Sequence, residues 1–284
     1  MSTNHEPRLS PLRKSFSNDA LWDHIRAEAE TVVEHEPLLT TLVLTSILNC
    51  STFEEAIGRR IASRLGNTSV SADLIADAFS RAVQGDPSIA PALRADILAV
   101  VERDPAATRL IEPFLYFKGF HAIETHRLAH FLWKRGQTDL ALYLQSRASD
   151  VFQTDIHPAV PFGRGIFLDH ATGFVVGATA QIDDDVSILQ NVTLGGTGKD
   201  KGDRHPKIRS GVLIGAGAKI LGNIEIGHCS RIAAGSVVVQ AVPPKTTVAG
   251  VPARIIGTAG CADPARDMNQ LLSELAYDAF TYSI

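Results

Sequence analysis

The sequence predicts an α+β, multi-domain chain: an all-α helical N-terminal half followed by a parallel β-helix of hexapeptide repeats. Two observations carry this. In the C-terminal half Ile, Val or Leu recurs every sixth residue, at Val176, Ile182, Ile188 and Leu194, then in a new phase at Ile208, Ile214, Ile220, Ile226, Ile232 and Val238. The N-terminal half instead sets apolar residues at helical spacing between capping signals. A period of six matches neither a helix nor a half-buried strand. It matches a solenoid in which each hexad makes one face of a triangular coil. Three hexads, about 18 residues, then close one turn, and stacked turns bury a continuous aliphatic column. Gly177, Gly195, Gly215 and Gly227 follow the aliphatic position, where a sharp bend leaves little room for a Cβ.

Asn18 or Asp19 opens the first helix, whose apolar face is Leu21, Trp22, Ile25, Ala29, Val32 and Val33. Thr52 and Glu55 form a capping box ahead of Phe53, Ile57, Ile61 and Leu65. Ser71 precedes Leu74, Ile75, Ala78, Phe79 and Val83, and Gly85-Asp86-Pro87 stops that helix. Further helices are expected over 91–103, 113–134 and 139–152. These make a domain spanning 1–152, read as a cap and oligomerisation platform. The solenoid domain spans 153–256, beginning near Ile156 with Val160 and Ile166 in phase. It breaks phase twice, at Leu168-Asp-His-Ala-Thr-Gly173 and in an insertion over 195–207, GGTGKDKGDRHPK. A regular solenoid gains nothing from interruptions, so function is expected at both. Residues 248–254 read as a closing segment, and 257–284 as a flexible tail.

Composition excludes several classes. A net charge of −4, with 27 basic against 31 acidic residues, gives no electrostatic footprint for nucleic acid or an acidic membrane surface. Cys50, Cys229 and Cys261 are odd in number and form no CxxC pair, so they read as thiols of a reducing compartment. The polar N-terminus lacks the apolar core of a signal peptide. The most apolar stretch, from Leu38 to Cys50, is too short to span a bilayer. A cytoplasmic location is expected.

The two breaks hold the chemistry-bearing side chains. His170 and Asp155 are placed to sit on neighbouring rungs. The carboxylate would hold the imidazole Nδ1–H while Nε2 takes a proton from a hydroxyl; the alternative is a histidine that merely hydrogen-bonds at a corner. Arg204 and His205, flanked by Lys199, Lys201 and Lys207, read either as an anion-binding loop or as solvated surface. His157, His170 and His205 lack the short, regular ligand spacing of a zinc site, and no metal is expected. The small residues around Ala216, Gly217, Ala234 and Gly235 suit a narrow ligand arm or tight packing between solenoids.

Beyond these patterns the chain closely resembles the bacterial serine O-acetyltransferase family. The matching stretches are Asp-Ile-His-Pro at 155–158, Gly-Arg-Gly-Ile at 163–166, Leu-Asp-His-Ala-Thr-Gly at 168–173 and Asp-Val-Ser-Ile-Leu-Gln at 185–190. Val-Thr-Leu-Gly-Gly-Thr-Gly-Lys at 192–199, Gly-Asp-Arg-His-Pro-Lys-Ile-Arg at 202–209 and Ala-Gly-Val-Pro-Ala-Arg at 249–254 extend the match. In the helical half it includes Arg-Asp-Pro-Ala at 103–106 and Leu-Tyr-Phe-Lys-Gly-Phe-His-Ala at 115–122. The resemblance implies a left-handed β-helix, trimers or dimers of trimers, and sites between neighbouring solenoids. It implies acetyl transfer from acetyl-CoA, a co-substrate, to the L-serine hydroxyl by direct attack. His170 would be the base and Asp155 its orienter. Asp104 and Asp169 would meet the serine ammonium, Arg204 the carboxylate, and His205 the substrate or the developing oxyanion. Gly196 and Thr197 join Ala216, Gly217, Ala234 and Gly235 as expected coenzyme contacts. The resemblance further implies feedback inhibition by L-cysteine, and binding of O-acetylserine sulfhydrylase through the terminal Ile284. Two other readings stand beside it: a hexapeptide acetyltransferase acting on another hydroxyl, and a zinc-dependent hydratase on the same solenoid.

Overall fold

Thr52 and Ser71 act as helix caps. The Thr52 hydroxyl accepts from Glu55 N–H at 3.2 Å while Glu55 Oε2 accepts from Ser51 N–H at 2.8 Å, and the Ser71 hydroxyl accepts from Leu74 N–H at 3.4 Å. Such caps stabilise a helix by about 1 kcal/mol each. The computed structural model describes residues 18–198 and 201–272. Eight α-helices come first: α1 (Asn18–His35), α2 (Thr40–Val43), α3 (Phe53–Leu65), α4 (Ala72–Gly85), α5 (Ile89–Arg103), α6 (Ile111–Leu115), α7 (Lys118–Lys134) and α8 (Thr138–Phe152). A 3-10 turn at Pro37–Leu39 and a π-helical turn at Leu44–Leu48 flank α2, so the apolar stretch read from sequence is short helical turns. No helix among the described residues is long and apolar enough to cross a membrane.

The helix expected over 113–134 is two helices. Its ladder is broken because carbonyls near the junction have other partners. Leu115 O accepts from the Arg60 guanidinium at 3.1 Å, and Phe114 O from His121 Nε2 at 2.7 Å. The break lets α7 begin against the solenoid. A Cβ on Gly119 would stand 1.9 Å from Leu168 O, so only glycine permits the approach.

The solenoid is a three-sided prism. Sheet A carries β1 (Thr154–Ile156), β3 (Phe174–Val176), β6 (Thr193–Gly195), β9 (Lys219–Leu221) and β12 (Val237–Val238). Sheet B carries β4 (Gln181–Ile182), β7 (Lys207–Ile208) and β10 (Glu225–Ile226). Sheet C carries β2 (Phe167–Leu168), β5 (Ser187–Ile188), β8 (Leu213–Ile214), β11 (Arg231–Ile232), β13 (Thr246–Gly250) and β14 (Ala253–Thr258). All pairs are parallel except β13–β14. The ten hexad aliphatics are each 2% exposed or less. A second column escaped the sequence reading: Phe174, Ala180, Val186, Val192, Val212 and Ala218 sit two residues before the aliphatics and are fully buried.

Register locates both breaks. Leu213 pairs with Arg231 and Ile214 with Ile232, the regular spacing of three hexads. Leu168 pairs with Ile188, two positions beyond that spacing. The excess falls between Leu168 and Val176, around His170, since Ile188 to Leu194 is a plain hexad. Leu194 pairs with Ile220, eight positions beyond three hexads, and that excess falls between Leu194 and Ile208. The first break therefore lies on the C–A edge of the prism and the second on the A–B edge.

Helices and solenoid share one continuous set of buried apolar side chains, from Leu21 to Val248. Buried polar groups stitch the seam. Arg127 donates to Asp96 Oδ2 and to Gly163 O, while Asp96 Oδ1 accepts from Ile166 N–H. Glu124 lies against this pair with its Oε2 3.3 Å from Arg127 Nε. Burial first and Asp96 second push its carboxyl well above the usual range. The chain after 257, read as the start of the tail, is ordered further on: β14 runs to Thr258, Ala259 and Ala265 are buried, and a short helix α9 (Pro264–Asp267) packs onto the prism. It is held because Ala265 O accepts from the buried Ser187 hydroxyl at 2.7 Å.

Candidate active site

His170 stands at the C–A edge with its side chain 73% exposed, in a left-handed backbone conformation (φ 55°) at the lengthened corner. Gly119 presses on Leu168 O just before it, and Lys118 Nζ donates to Thr172 Oγ1 at 2.5 Å just after. The turn is thus held by the start of α7, a role the sequence reading did not assign to Lys118 or Gly119. Asp169 Oδ1 is 3.7 Å from His170 Nε2. Burial raises the Asp169 carboxyl above its ordinary value, with Asp104 adding to the rise and His170 opposing it. Asp104 comes from the C-terminal end of α5, and its Oδ1 accepts from Ala106 N–H at 2.8 Å. The preceding Arg103 fixes it there: this buried guanidinium donates to Gly165 O, Ser187 Oγ and Asp185 Oδ1 at 3.0, 3.1 and 2.8 Å. Two carboxyls and one imidazole thus converge from the helices and the first coil.

Asp155 does not pair with His170 in this structure. Its Oδ1 accepts from Gln145 Nε2 of α8 at 2.6 Å. The coil here is longer than three hexads, so the residue on the rung beside Asp155 is Val175, and His170 lies earlier, in the corner.

Above His170 the C–A edge is a ladder of left-handed residues: Gly173, Asn191, Gly217 and Gly235 have φ of 75, 59, 74 and 69°. Gly217 N–H donates to Gln190 O, and Gly235 N–H to Ala216 O, at 2.9 and 2.8 Å. A Cβ on Gly235 would meet nothing within 4 Å. Ala216, Gly217, Ala234 and Gly235 therefore line one open strip leading to His170.

Gly196, Thr197, Arg204 and His205 lie at the other edge, A–B. His205 is buried, 6% exposed, and its ring rests on Gly177: a Cβ there would fall 2.0 Å from His205 Nε2. At Gly215 and Gly227 the missing Cβ is filled by backbone of the next coil, at Ala234 and Pro244; at Gly177 the imidazole takes that place. Gly177→Ala is expected to evict the ring and lower kcat/KM by about a hundredfold with little change in melting temperature. Steady-state kinetics and a thermal melt check this, and unchanged kinetics would remove His205 from the site. Lys207, read as part of a cationic loop, is structural: its Nζ donates to Thr179 O, Asp203 Oδ1 and His205 O at 2.7, 2.6 and 2.8 Å. Lys199 lies outside the described residues, as do Tyr282, Ser283 and Ile284. Among the described residues no three His, Cys, Asp or Glu side chains form a metal-binding group; His157 Nδ1 accepts from Ala159 N–H and its ring packs edge-on to Trp133. A cleft of about 430 Å³ opens on the helical half beside Trp22, Arg26 and Cys50, and none of the candidate residues lines it.

The model of the family described as "Serine acetyltransferase, N-terminal" matches residues 21–125, and that of "Bacterial transferase hexapeptide (six repeats)" matches 205–240. Serine acetyltransferase of Salmonella typhimurium is 51% identical over 252 residues, covering 89% of this chain and 92% of the relative. The chain belongs to the serine acetyltransferase family. It is accordingly an acyltransferase on a hexapeptide-repeat β-helix. The crystal structure of serine acetyltransferase from Brucella abortus in complex with coenzyme A superposes with a TM-score of 0.84 at 60% identity, covering 85% of this chain and 97% of that one. A serine acetyltransferase in complex with cysteine superposes at 0.88 with 50% identity, covering 90% and 100%.

Proposed function

We propose that this serine acetyltransferase moves the acetyl group of acetyl-CoA to the hydroxyl of L-serine by direct attack, with His170 as general base. The observation that carries the reading is the exposed His170, set at the foot of an open strip of small residues and beside the Asp169 and Asp104 carboxyls. Serine's ammonium is taken by that carboxyl pair. Its hydroxyl gives its proton to His170 Nε2 as the oxygen attacks the thioester carbonyl. The tetrahedral intermediate collapses with loss of the CoA thiolate, which takes the proton from His170. Engaging Asp169 with the ammonium frees Nε2 for the hydroxyl, and the exposed ring then turns toward Asp155, which exchanges Gln145 for Nδ1–H.

Arg204 and His205 complete the site from a neighbouring chain. Within one chain they sit across face A from His170, on the opposite edge of the prism. Three prisms around a threefold axis bring the C–A edge of one against the A–B edge of the next, a heterologous contact that closes into a ring. Arg204 then forks onto the serine carboxylate, and Gly196 and Thr197 face the coenzyme strip of Ala216, Gly217, Ala234 and Gly235. The helical domain, through 152, supplies Asp104 and joins trimers in pairs. L-Cysteine, which offers the same ammonium and carboxylate as serine, competes for this site as a feedback inhibitor; the cysteine complex of a relative supports this. The same reading takes O-acetylserine sulfhydrylase as a partner, bound through Ile284.

The test is release of free CoA from acetyl-CoA with L-serine, against a panel of sugar and amine acceptors. Serine-dependent release is expected. Release with a sugar hydroxyl and none with serine would overturn the reading.

A further inference from the structure

Thr179, in the turn between β3 and β4, was given no role by the sequence. Its backbone N–H donates to His205 Nδ1 at 3.2 Å, and its hydroxyl oxygen lies 2.8 Å from the same nitrogen. That oxygen also accepts the backbone N–H groups of Arg204 and His205, at 3.0 and 3.2 Å. Its carbonyl accepts from Lys207 Nζ at 2.7 Å. One threonine thus meets three parts of the loop that bears both candidate substrate contacts.

The bonding inventory decides the state of the ring. A peptide N–H can only donate, so His205 Nδ1 presents a lone pair and the proton of the uncharged imidazole resides on Nε2. The threonine oxygen uses both lone pairs on the two loop amides and has only its own hydrogen left to give. Nδ1 and the Asp203 carboxylate both lie within its reach. Burial, followed by Arg204 and Lys207, holds the imidazole below its ordinary pKa, which favours the uncharged form. Nε2 is meanwhile seated over Gly177.

We propose that Thr179 is a positioning residue that locks His205 as the Nε2–H tautomer, making it a fixed hydrogen-bond donor to the oxyanion of the acetyl-transfer step. The proposal rests on the serine-acetylation reading for its catalytic consequence. A donor held in place before reaction costs no reorganisation when charge develops. A ring free to change its tautomer would at times present a lone pair to the oxyanion. The same threonine sets the backbone of Arg204, so substrate placement and oxyanion donation depend on one side chain.

Thr179→Val removes the hydroxyl while keeping the shape and the backbone N–H, and Thr179→Ser restores the hydroxyl. Thr179→Val is expected to lower kcat/KM for serine by about ten- to a hundredfold, and Thr179→Ser to recover it. Histidine-labelled ¹⁵N spectra of the full-length protein, with His205 assigned by His205→Gln, are expected to show an unprotonated Nδ1 in wild type and Thr179→Ser. Thr179→Val, which keeps the peptide N–H, should keep the unprotonated Nδ1 and lose activity through the released Arg204 and His205 amides. A protonated Nδ1 in the wild type would overturn the proposal. So would wild-type kinetics in Thr179→Val, or a Thr179→Ser variant as impaired as Thr179→Val. The spectrum of the wild type needs no substrate, so failure to acetylate serine would sink the functional reading and leave the tautomer assignment to its own result.

Discussion

His170→Ala is expected to abolish most serine-dependent CoA release, by about 10²–10⁴-fold in kcat, with the melting temperature unchanged. The asymmetry follows from exposure. The side chain is 73% exposed, and its side-chain polar contact is an ion-pair distance of 3.7 Å to Asp169. Removing it leaves no cavity and orphans no buried partner, so the fold loses little. The reaction loses its base, because the serine hydroxyl is a poor nucleophile while it keeps its proton. Binding contacts survive, so KM for serine should move far less than kcat. Stopped-flow or thiol-trapping assays of CoA release, run beside a thermal melt, check both halves. A folded variant that retains wild-type turnover would transfer the base role elsewhere.

Gly119→Ala is expected to behave in the opposite way, losing stability and activity together. Ala is favoured over Gly in a helix by up to about 1 kcal/mol, so propensity alone would forecast a small gain. The new Cβ, however, would stand 1.9 Å from Leu168 O, a backbone atom that no rotamer change can move. Overpacking of this kind costs about 1–3 kcal/mol and sometimes more; the rigid carbonyl places it at the upper end, so the clash wins. A melting temperature lower by roughly 5–10 °C follows for a chain of this size. Leu168 directly precedes Asp169 and His170, so the carbonyl can retreat only by shifting the base. A calorimetric scan with kinetics below the transition tests this. A variant as stable as wild type would show that α7 does not clamp the turn.

Legibility in the sequence followed the range of the interactions. The helical caps at Thr52 and Ser71 and the column of hexad aliphatics are local or periodic, and a period survives whatever the chain packs against. The second inward column of Ala and Val was masked because those residues are common outside cores. Joining 113–134 into one helix missed a break caused by Arg60 and His121 capturing carbonyls, contacts that no local pattern announces. The same holds for the site. Motifs marked His170, Asp104, Asp169, Arg204 and His205; Thr179 and Gln145, which hold two of the site's groups, carry no motif, and Arg103 and Lys118 lie inside matched stretches that assign them no role.

By itself the sequence determined the architecture, the two places where it is interrupted, and the residue types available there, because hexad period and motif are written along the chain. Only the tertiary structure decided which of those residues meet. The shorter interruption turns His170 out at one edge of the prism, where it neighbours Asp169 while Asp155 pairs with Gln145. The longer one carries His205 onto Gly177 at the other edge, where the Thr179 amide selects its tautomer. Those outcomes depend on distances between coils, and a coil lengthened beyond three hexads changes every neighbour that follows it.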